Sequence, residues 1–398
     1  MKNVSDIVNK DKIAIVVVGY NRLSGLQRLL KSLLDAIYPS NDIPLYISID
    51  ASGVQEVYDY VNTFNWIHGD KYVNIQEERL GLKKHIFQCI DLTKFFKAVI
   101  ILEDDLFVSP YFYDYALKTV DFYDKDDKVA SISLYSYFLQ GSNELPFNSM
   151  PFYPLHNGYD AYAIQVAATW GEIFTRRMGQ EFLAWEKSWN GNFKELDLPQ
   201  RIKDWKKAWS KYLFAYMLTT GKYTIIPYES LSVNFNDAVG TNGKGSIHSG
   251  QSNLLMGRRN YIFGNVKNIP QYSAYYNNYN MCNWLGISAM DIDLDIYGAH
   301  KLYNKRYALT PHILKAKKLQ SFALAMVPPE LNVKYQVEGN DIFLYEVNAC
   351  IETSQVKTNK ILPYILRGLS PNLFVPYVAK NFKKQFFRLF FKSLFQLF

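Results

Sequence analysis

The sequence predicts an α/β protein built on a doubly wound, mostly parallel open sheet with helices on both faces. Continuous aliphatic runs at residues 13–18 and 98–102, and the mostly apolar Leu-Tyr-Ile-Ser-Ile at 45–49, are typical of strands buried on both faces of such a sheet. Stretches with helical leucine spacing or helix-former composition separate these runs. This alternation of strand and helix favours a parallel sheet with crossover helices. With 398 residues, of which 48% are apolar and 20% charged, the chain can bury a full core.

The predicted elements can be placed in chain order. Strands are expected at 13–18, 45–49, 72–75, 98–102 and 223–227, and helices at 23–34, 54–61 and 82–95 and after Ser109-Pro110. Further along, residues 291–297 alternate acidic and apolar side chains, which predicts an edge strand guarded by charge. Residues 333–337 and 342–345 read as the two strands of a hairpin.

Polar segments follow three of the predicted strands. Residues 19–22, Gly-Tyr-Asn-Arg, follow the first predicted strand, and Asp50 follows the second. Glu103-Asp104-Asp105 follow the strand at 98–102, whose residues are all apolar. Because ligands of doubly wound sheets bind beyond the carboxyl ends of the strands, these segments are expected to line one crevice.

The three adjacent carboxyl groups call for a chemical reason. Their mutual repulsion raises at least one pKa unless a cation or hydrogen-bond donors compensate. Carboxylate oxygens suit Mg²⁺ or Mn²⁺, which one or two carboxylates can hold while a substrate diphosphate completes the coordination shell. The alternative is that the acids favour the N-terminal dipole of the helix that follows. We expect one of the three to hold metal and the others to orient donor or ribose.

Three segments resemble a known family. Residues 16–22, 78–86 and 101–112 resemble bacterial GT-A-fold glycosyltransferases, which are family-2-like and Rossmann-like in fold. The Glu-Asp-Asp form of the acidic segment, followed by a Pro-aromatic step, is closest to N-acetylglucosaminyltransferase I. The resemblance covers about residues 12–250.

The resemblance implies a role for each matching position. The nucleotide sugar would contact a set of residues at the strand ends and in the neighbouring loops: Val18, Gly19, Tyr20, Asn21, Arg22, Asp50, Arg79, Lys83, Glu103, Asp104 and Trp170. Within this set Asp50 would face the base or ribose, and Arg79 and Lys83 the diphosphate. Asp105 would be the direct metal ligand. The alternative for the basic pair is a solvated helix start.

The resemblance also implies an acceptor side. Glu172, close to Trp170, is a candidate sugar contact or base, or else a helix-start acid. Asp204 is the first candidate for the general base, although Lys206 stands where many relatives carry an acid. His248, in a glycine-rich loop expected to act as a lid, would approach the metal or diphosphate.

Charge and cysteine content bear on location. The net charge is +7, and five basic residues without an acid lie in residues 379–398, where a basic, phenylalanine-rich amphipathic helix is predicted. We expect this helix to bind an anionic membrane surface, with docking on protein as the alternative. The near-neutral remainder makes nucleic acid a poor partner. Three scattered cysteines and no apolar leader or span predict a cytoplasmic protein on the inner face of the membrane.

These observations combine into one functional prediction. We expect a GT-A domain over residues 1–265, a linker with a small β element over 266–348, and a tail over 349–398. The activity would be Mn²⁺- or Mg²⁺-dependent transfer, with inversion, from a nucleoside-diphosphate sugar, with uridine as the expected base, to a glycan or lipid-linked acceptor. Bacterial surface-polysaccharide synthesis would use such an enzyme. The alternative is a non-catalytic scaffold that binds nucleotide sugar or glycan.

Overall fold

A computed structural model describes residues 9–141, 149–235 and 251–352, together with residue 364. His248 and the predicted helix at 379–398 lie outside these residues, so both remain predictions. None of the helices within the described ranges is long and apolar enough to cross a lipid bilayer.

The described elements alternate between strand and helix through the first half of the chain. The strands are β1 (Asn9–Gly19), β2 (Leu45–Ile49), β3 (Lys71–Ile75), β4 (Phe96–Glu103), β5 (Leu106–Val108), β6 (Val129–Ser133), β7 (Leu139–Gly141), β8 (Ser149–Pro151), β9 (Ala161–Ile164), β10 (Glu172–Thr175), β11 (Tyr223–Pro227), β12 (Ser232–Asn234), β13 (Gln271–Tyr272), β14 (Ile292–Leu294), β15 (Leu302–Tyr303), β16 (Tyr307–Thr310), β17 (Lys317–Phe322), β18 (Ile342–Glu346) and β19 (Ile351–Glu352). The helices are α1 (Leu23–Leu34), α2 (Gln55–Thr63), α3 (Leu82–Asp91), α4 (Phe112–Tyr123), α5 (Arg176–Ser188), α6 (Gln200–Lys203), α7 (Ser210–Thr220), α8 (Asn280–Leu285) and α9 (Glu330–Lys334).

Nine strands form the main sheet, in the order β13-β9-β11-β6-β10-β4-β1-β2-β3. The first four strands in the chain that join it, β1 to β4, pair in parallel, with β1 between β4 and β2. The central strand β10 runs antiparallel to both of its neighbours, β4 and β6. The predicted α/β class with a mostly parallel open sheet is therefore confirmed.

The core lies on both faces of this sheet. Residues 98–102 of β4 are at most 2% exposed, as expected of a strand with an uninterrupted aliphatic run. Leucines of α1 at helical spacing are equally buried against one face, while α3 packs against α5. Burying each such side chain contributes roughly 1.5–3 kcal/mol, so the sheet holds the strand ends in fixed positions.

The structure corrects two predictions for the C-terminal region. Residues 330–334 form helix α9, whereas we predicted a strand from residue 333, and β18 pairs with β16 and β17 instead. Two prolines stand directly before Glu330, where a fixed φ suits a helix start. The predicted edge strand at 291–297 is real but short, since it spans only Ile292–Leu294 at the edge of its sheet.

A four-stranded sheet, β14-β16-β18-β17, forms the centre of the C-terminal region. One of its faces, with Leu309 and Leu344, shares the core of the large sheet. In addition, β13 completes that large sheet by pairing with β9, although it follows residue 265. The division at residues 265 and 266 thus places one strand of the main sheet in the predicted linker, and the three-part organisation stays a proposal.

Candidate active site

The carboxyl ends of β1 and β4 lie side by side, because Val18 pairs with Glu103 in the parallel register. Gly19 ends β1, and a side chain there would meet Ile49 at 2.8 Å and lie 3.9 Å from the Asp104 carboxylate. A glycine at this position avoids the close contact with the Ile49 side chain and leaves the end of β1 beside Asp104. The sheet therefore brings the segment after β1 against the acidic segment, as the sequence predicted.

Arg22 is the cation that balances the acidic segment. Its guanidinium donates to Asp104 through Nη2 and to Asp105 Oδ2 through Nη1, the latter at 3.2 Å. The side chains of Arg22, Asp104 and Asp105 are 14%, 5% and 19% exposed, so water screens the pairs only partly. The structure thus connects the loops after β1 and β4 by charge.

Two of the three carboxyl groups are hard to ionise. Loss of surrounding water, followed by repulsion from Asp105 and Asp104, raises the pKa of Glu103 to about 8, although the Trp209 indole N–H donates to it. Burial raises the pKa of Asp104 to about 6 despite the opposing charge of Arg22. One guanidinium therefore leaves part of the negative charge at this strand end uncompensated.

The carboxylate oxygens at the end of β4 are suitable ligands for a divalent cation. The described residues contain no group of three or more His, Cys, Asp or Glu side chains that could hold a metal together. However, Mg²⁺ and Mn²⁺ commonly use one or two protein carboxylates and complete their shell with water and substrate phosphates. Asp105, the most exposed of the paired acids, suits that role, and a cation there would relieve the repulsion that raises the pKa of Glu103.

Asp50 has a structural task. Its carboxylate is 4% exposed and accepts hydrogen bonds from the backbone N–H groups of Ala51, Leu80 and Gly81 at 2.8–3.0 Å. These bonds fasten the loop before α3 to the end of β2. In this structure Asp50 therefore positions that loop, whereas we predicted a direct contact with base or ribose.

The two basic residues expected at the diphosphate take different directions. Arg79, exposed on the loop held by Asp50, places its guanidinium 4.8 Å from the centre of the Tyr20 ring, beside the end of β1. Lys83 instead pairs with Glu186 of α5 at 2.8 Å and lies 3.6 Å from the centre of the Tyr212 ring. Arg79 thus stays a candidate for the diphosphate, whereas Lys83 is engaged by Glu186 and Tyr212.

Trp170 lies at the edge of the same region. It is half-buried, its ring contacts Tyr135 at 4.5 Å, and its carbonyl accepts a hydrogen bond from the Ser232 hydroxyl. Ser232 belongs to β12, which pairs with β5 immediately after Asp105. Trp170 therefore remains a candidate for packing against a sugar.

Glu172 is inside the sheet. It is 0% exposed, in the strand between β4 and β6, and neither carboxyl oxygen has a hydrogen-bond partner in the described part of the chain. Burial raises its pKa well above the usual carboxyl range, and the nearby Ser131 hydroxyl opposes this only weakly. An enclosed, protonated group cannot contact a sugar or accept a proton from an acceptor, so the structure corrects the predicted role of Glu172.

The burial of Glu172 predicts a pH effect on stability. In the unfolded chain Glu172 ionises above about pH 4.3, whereas in the folded protein burial raises its pKa and opposes its ionisation. The free energy of unfolding should therefore fall as pH rises above about 5, by up to about 1.4 kcal/mol per unit from this group. Glu172→Gln should lose this slope in urea unfolding between pH 5 and 8. A constant gap between variant and wild type would contradict it, and exposed Glu195→Gln serves as the control.

Asp204 lies on the segment that reaches the acidic cluster. It follows α6, is exposed, and accepts a hydrogen bond from Gln200 at 2.7 Å. Five residues later, the buried Trp209 donates to Glu103. The connection between α6 and α7 therefore flanks the site, and Asp204 stays a candidate base.

Sequence reasoning missed two connections at this site. It gave Arg22 to the nucleotide and did not foresee its pairing with Asp104 and Asp105 across more than 80 residues. It also assigned no role to Trp209. Residue type was the available signal for both. Arg22 is a cation next to a strand end, and Trp209 has an indole N–H that needs a hydrogen-bond acceptor when it is buried.

Comparison with known proteins gives a family match for the first part of the chain. Residues 1–144 match the model of the GNT-I family. No curated protein matches the chain.

Several solved structures are similar to parts of the chain. Residues 1–349 of TarS from S. aureus, in complex with UDP, share 14% identity over 57% of this chain and 62% of that one, with a TM-score of 0.36. The mannosyltransferase PcManGT from Pyrobaculum calidifontis, with GDP-Man and Mn²⁺, shares 15% over 58% of each chain at 0.37. GalNAc-T7 with UDP, GalNAc and Mn²⁺ shares 13% over 56% of this chain and 43% of that one at 0.37. This chain thus spans less than two thirds of these proteins.

The family match includes the end of β1, Asp50, Arg79 and the whole acidic segment. It therefore covers the donor half of the candidate site and stops before Trp170 and Asp204. Over residues 1–144 this chain carries the sequence pattern of the GNT-I family, which confirms the predicted resemblance to N-acetylglucosaminyltransferase I.

Proposed function

We propose that this protein is a glycosyltransferase that moves a sugar from a nucleoside-diphosphate donor to a hydroxyl group. The observation that carries the proposal is the Arg22–Asp104–Asp105 cluster at the carboxyl ends of β1 and β4, within the segment that matches the GNT-I family. Strand ends of this kind are where doubly wound sheets bind nucleotides.

The donor would lie across the loops that the structure brings together. Tyr20 and Arg79, in mutual contact, would flank the nucleotide, and the Arg79 guanidinium suits a diphosphate because it can donate two parallel hydrogen bonds. Asp105 would hold Mn²⁺ or Mg²⁺, which when bound neutralises charge on the departing diphosphate. Trp170 would pack against the transferred sugar.

Transfer also needs a base for the acceptor hydroxyl. Asp204 is exposed and lies on the segment that ends at Trp209, so an acceptor can reach it from solvent. Because Glu172 is buried inside the sheet, Asp204 is the remaining candidate for the general base. Inversion at the anomeric carbon follows from the family resemblance.

The proposal also covers the donor nucleotide, the acceptor and the cellular location of the reaction. A uridine-diphosphate donor, a glycan or lipid-linked acceptor and bacterial surface-polysaccharide synthesis would suit a protein attached to the inner face of the membrane. The attachment would use the basic, phenylalanine-rich residues 379–398. These points rest on sequence.

One observation favours a second candidate, a scaffold that binds nucleotide sugar without turnover. Lys206 occupies the place where relatives carry an acid, and Lys206 and Lys207 are both exposed beside Asp204. A protein without a working base would keep donor binding through β1 and β4 and lose transfer.

A donor-hydrolysis screen separates the two candidates. Several nucleotide sugars are incubated with Mn²⁺ and wild type or Asp204→Asn, and release of nucleoside diphosphate is measured. For a transferase, wild type hydrolyses one donor, with water in place of the acceptor hydroxyl, and Asp204→Asn slows the release of nucleoside diphosphate by about 10²–10⁴-fold, the usual contribution of a positioned base. Donor binding without turnover in wild type would instead indicate the scaffold. The exposed Asp127→Asn is the matched control.

A further inference from the structure

The small C-terminal sheet carries a thin covering layer on the face turned away from the main core. This outer layer consists of β15, β19 and residues 311–316. Its inward side chains, including Tyr303 and Leu314, form a separate small core with Phe343 and Tyr345 of β18. The layer is therefore packed on its inner side and has an outer side that no other described element covers.

Apolar and basic side chains share this outer side with one acid, because the exposed Glu352 of β19 stands opposite Leu302. Next to the buried Tyr303 and Leu314, Leu302 is 43% and Ile313 is 59% exposed. Exposed Lys301 and Lys315 flank them. Lys318 of β17 stands opposite Tyr345 of β18 and is also exposed. Its ammonium group lies 5.6 Å from the centre of the Phe343 ring. Within the described ranges, none of these three lysines forms an ion pair.

In sequence, this same layer is followed by a strongly basic segment. β19 ends at Glu352, and the 46 residues that follow contain eight basic side chains and no acidic one. The preceding 352 residues contain 36 basic and 37 acidic side chains. The whole positive net charge of the protein therefore follows the outer layer directly, and an anionic surface is the partner that both would share.

We propose that the outer layer docks on the surface of an anionic membrane. Ile313 and Leu302 insert at the boundary between headgroups and acyl chains, where each gains by leaving water. Lys301, Lys315 and Lys318 meet the lipid phosphates, and their attraction falls with ionic strength. This surface is distinct from residues 379–398, and its docking does not depend on the proposed transferase activity.

A probe at position 313 tests the contact directly in the full chain. Cys89 and Cys282 are buried and Cys350 is exposed, so Cys350→Ser leaves a background in which Ile313→Cys can be labelled with an environment-sensitive nitrobenzoxadiazole dye. Ile67→Cys is the matched control, because Ile67 is 61% exposed and precedes β3 at the far edge of the main sheet. Phosphatidylcholine vesicles with phosphatidylglycerol should shift the emission of the 313 probe to the blue and leave the 67 probe unchanged.

A charge variant completes the test. Lys301→Ala/Lys315→Ala/Lys318→Ala should lower vesicle affinity about tenfold to a hundredfold at low salt. The exposed Lys125→Ala/Lys128→Ala/Lys187→Ala should keep the wild-type affinity. Vesicle-bound protein with water-like emission at position 313, or equal affinities for the two triple variants, would overturn the proposal and favour a protein partner for this layer. Absence of vesicle binding by wild type would overturn it as well.

Discussion

Asp105→Asn should lower the rate of sugar transfer by about 10²–10³-fold, the usual effect of removing one electrostatic contact to a reacting phosphate or oxyanion. The variant keeps the size of the side chain and removes the charge that would hold a divalent cation. Because Arg22 still pairs with Asp104, the fold should be preserved. Turnover is measured with saturating donor, and Mn²⁺ binding by electron paramagnetic resonance without donor should weaken in parallel.

The control for this prediction is Asp121→Asn. Asp121 is exposed on α4 and pairs only with Lys97 among the described residues, so both turnover and Mn²⁺ binding should stay at wild-type values. If Asp105→Asn also kept both, Asp105 would not be a metal ligand. The transferase proposal would then depend on another member of the acidic segment.

Arg22→Met should lower the free energy of unfolding by about 3 kcal/mol, since it leaves Asp104 buried without its ionic partner. The methionine side chain retains the apolar stem, so lost packing adds little. Urea unfolding at neutral pH measures the effect.

A second variant shows whether charge is the cause. Asp104→Asn in the Arg22→Met background removes the unpaired carboxylate and should restore part of the lost free energy of unfolding, so that the two changes are not additive. Strict additivity, or an Arg22→Met protein as stable as wild type, would contradict the role of Arg22 as the counter-charge of this strand end. Arg258→Met, at an exposed arginine, is the control.

Much of the fold could be predicted because its signals are local. Uninterrupted aliphatic runs mark β1 and β4, a mostly apolar run marks β2, and leucine spacing marks α1, so the ends of these strands follow from pattern and from the rules of parallel sheets. The antiparallel strand β10 at the centre of the sheet was not predicted. Near the C-terminus the pattern was ambiguous. The apolar residues at 331, 333 and 337 suit both a short strand and one helical turn, and the two prolines directly before Glu330 favour the start of a helix.

The candidate site divides in the same way. The sequence by itself determined that Gly19, Asp50 and the acidic triplet meet at one edge of the sheet, because the carboxyl ends of parallel strands share that edge. Only the tertiary structure decided what each side chain does there. Asp50 accepts hydrogen bonds from three backbone N–H groups, and Lys83 pairs with Glu186. Glu172 is buried inside the sheet, and Arg22 pairs with Asp104 and Asp105. Such roles depend on the direction of side chains from elements far apart in the chain, and no periodicity along the chain records that direction.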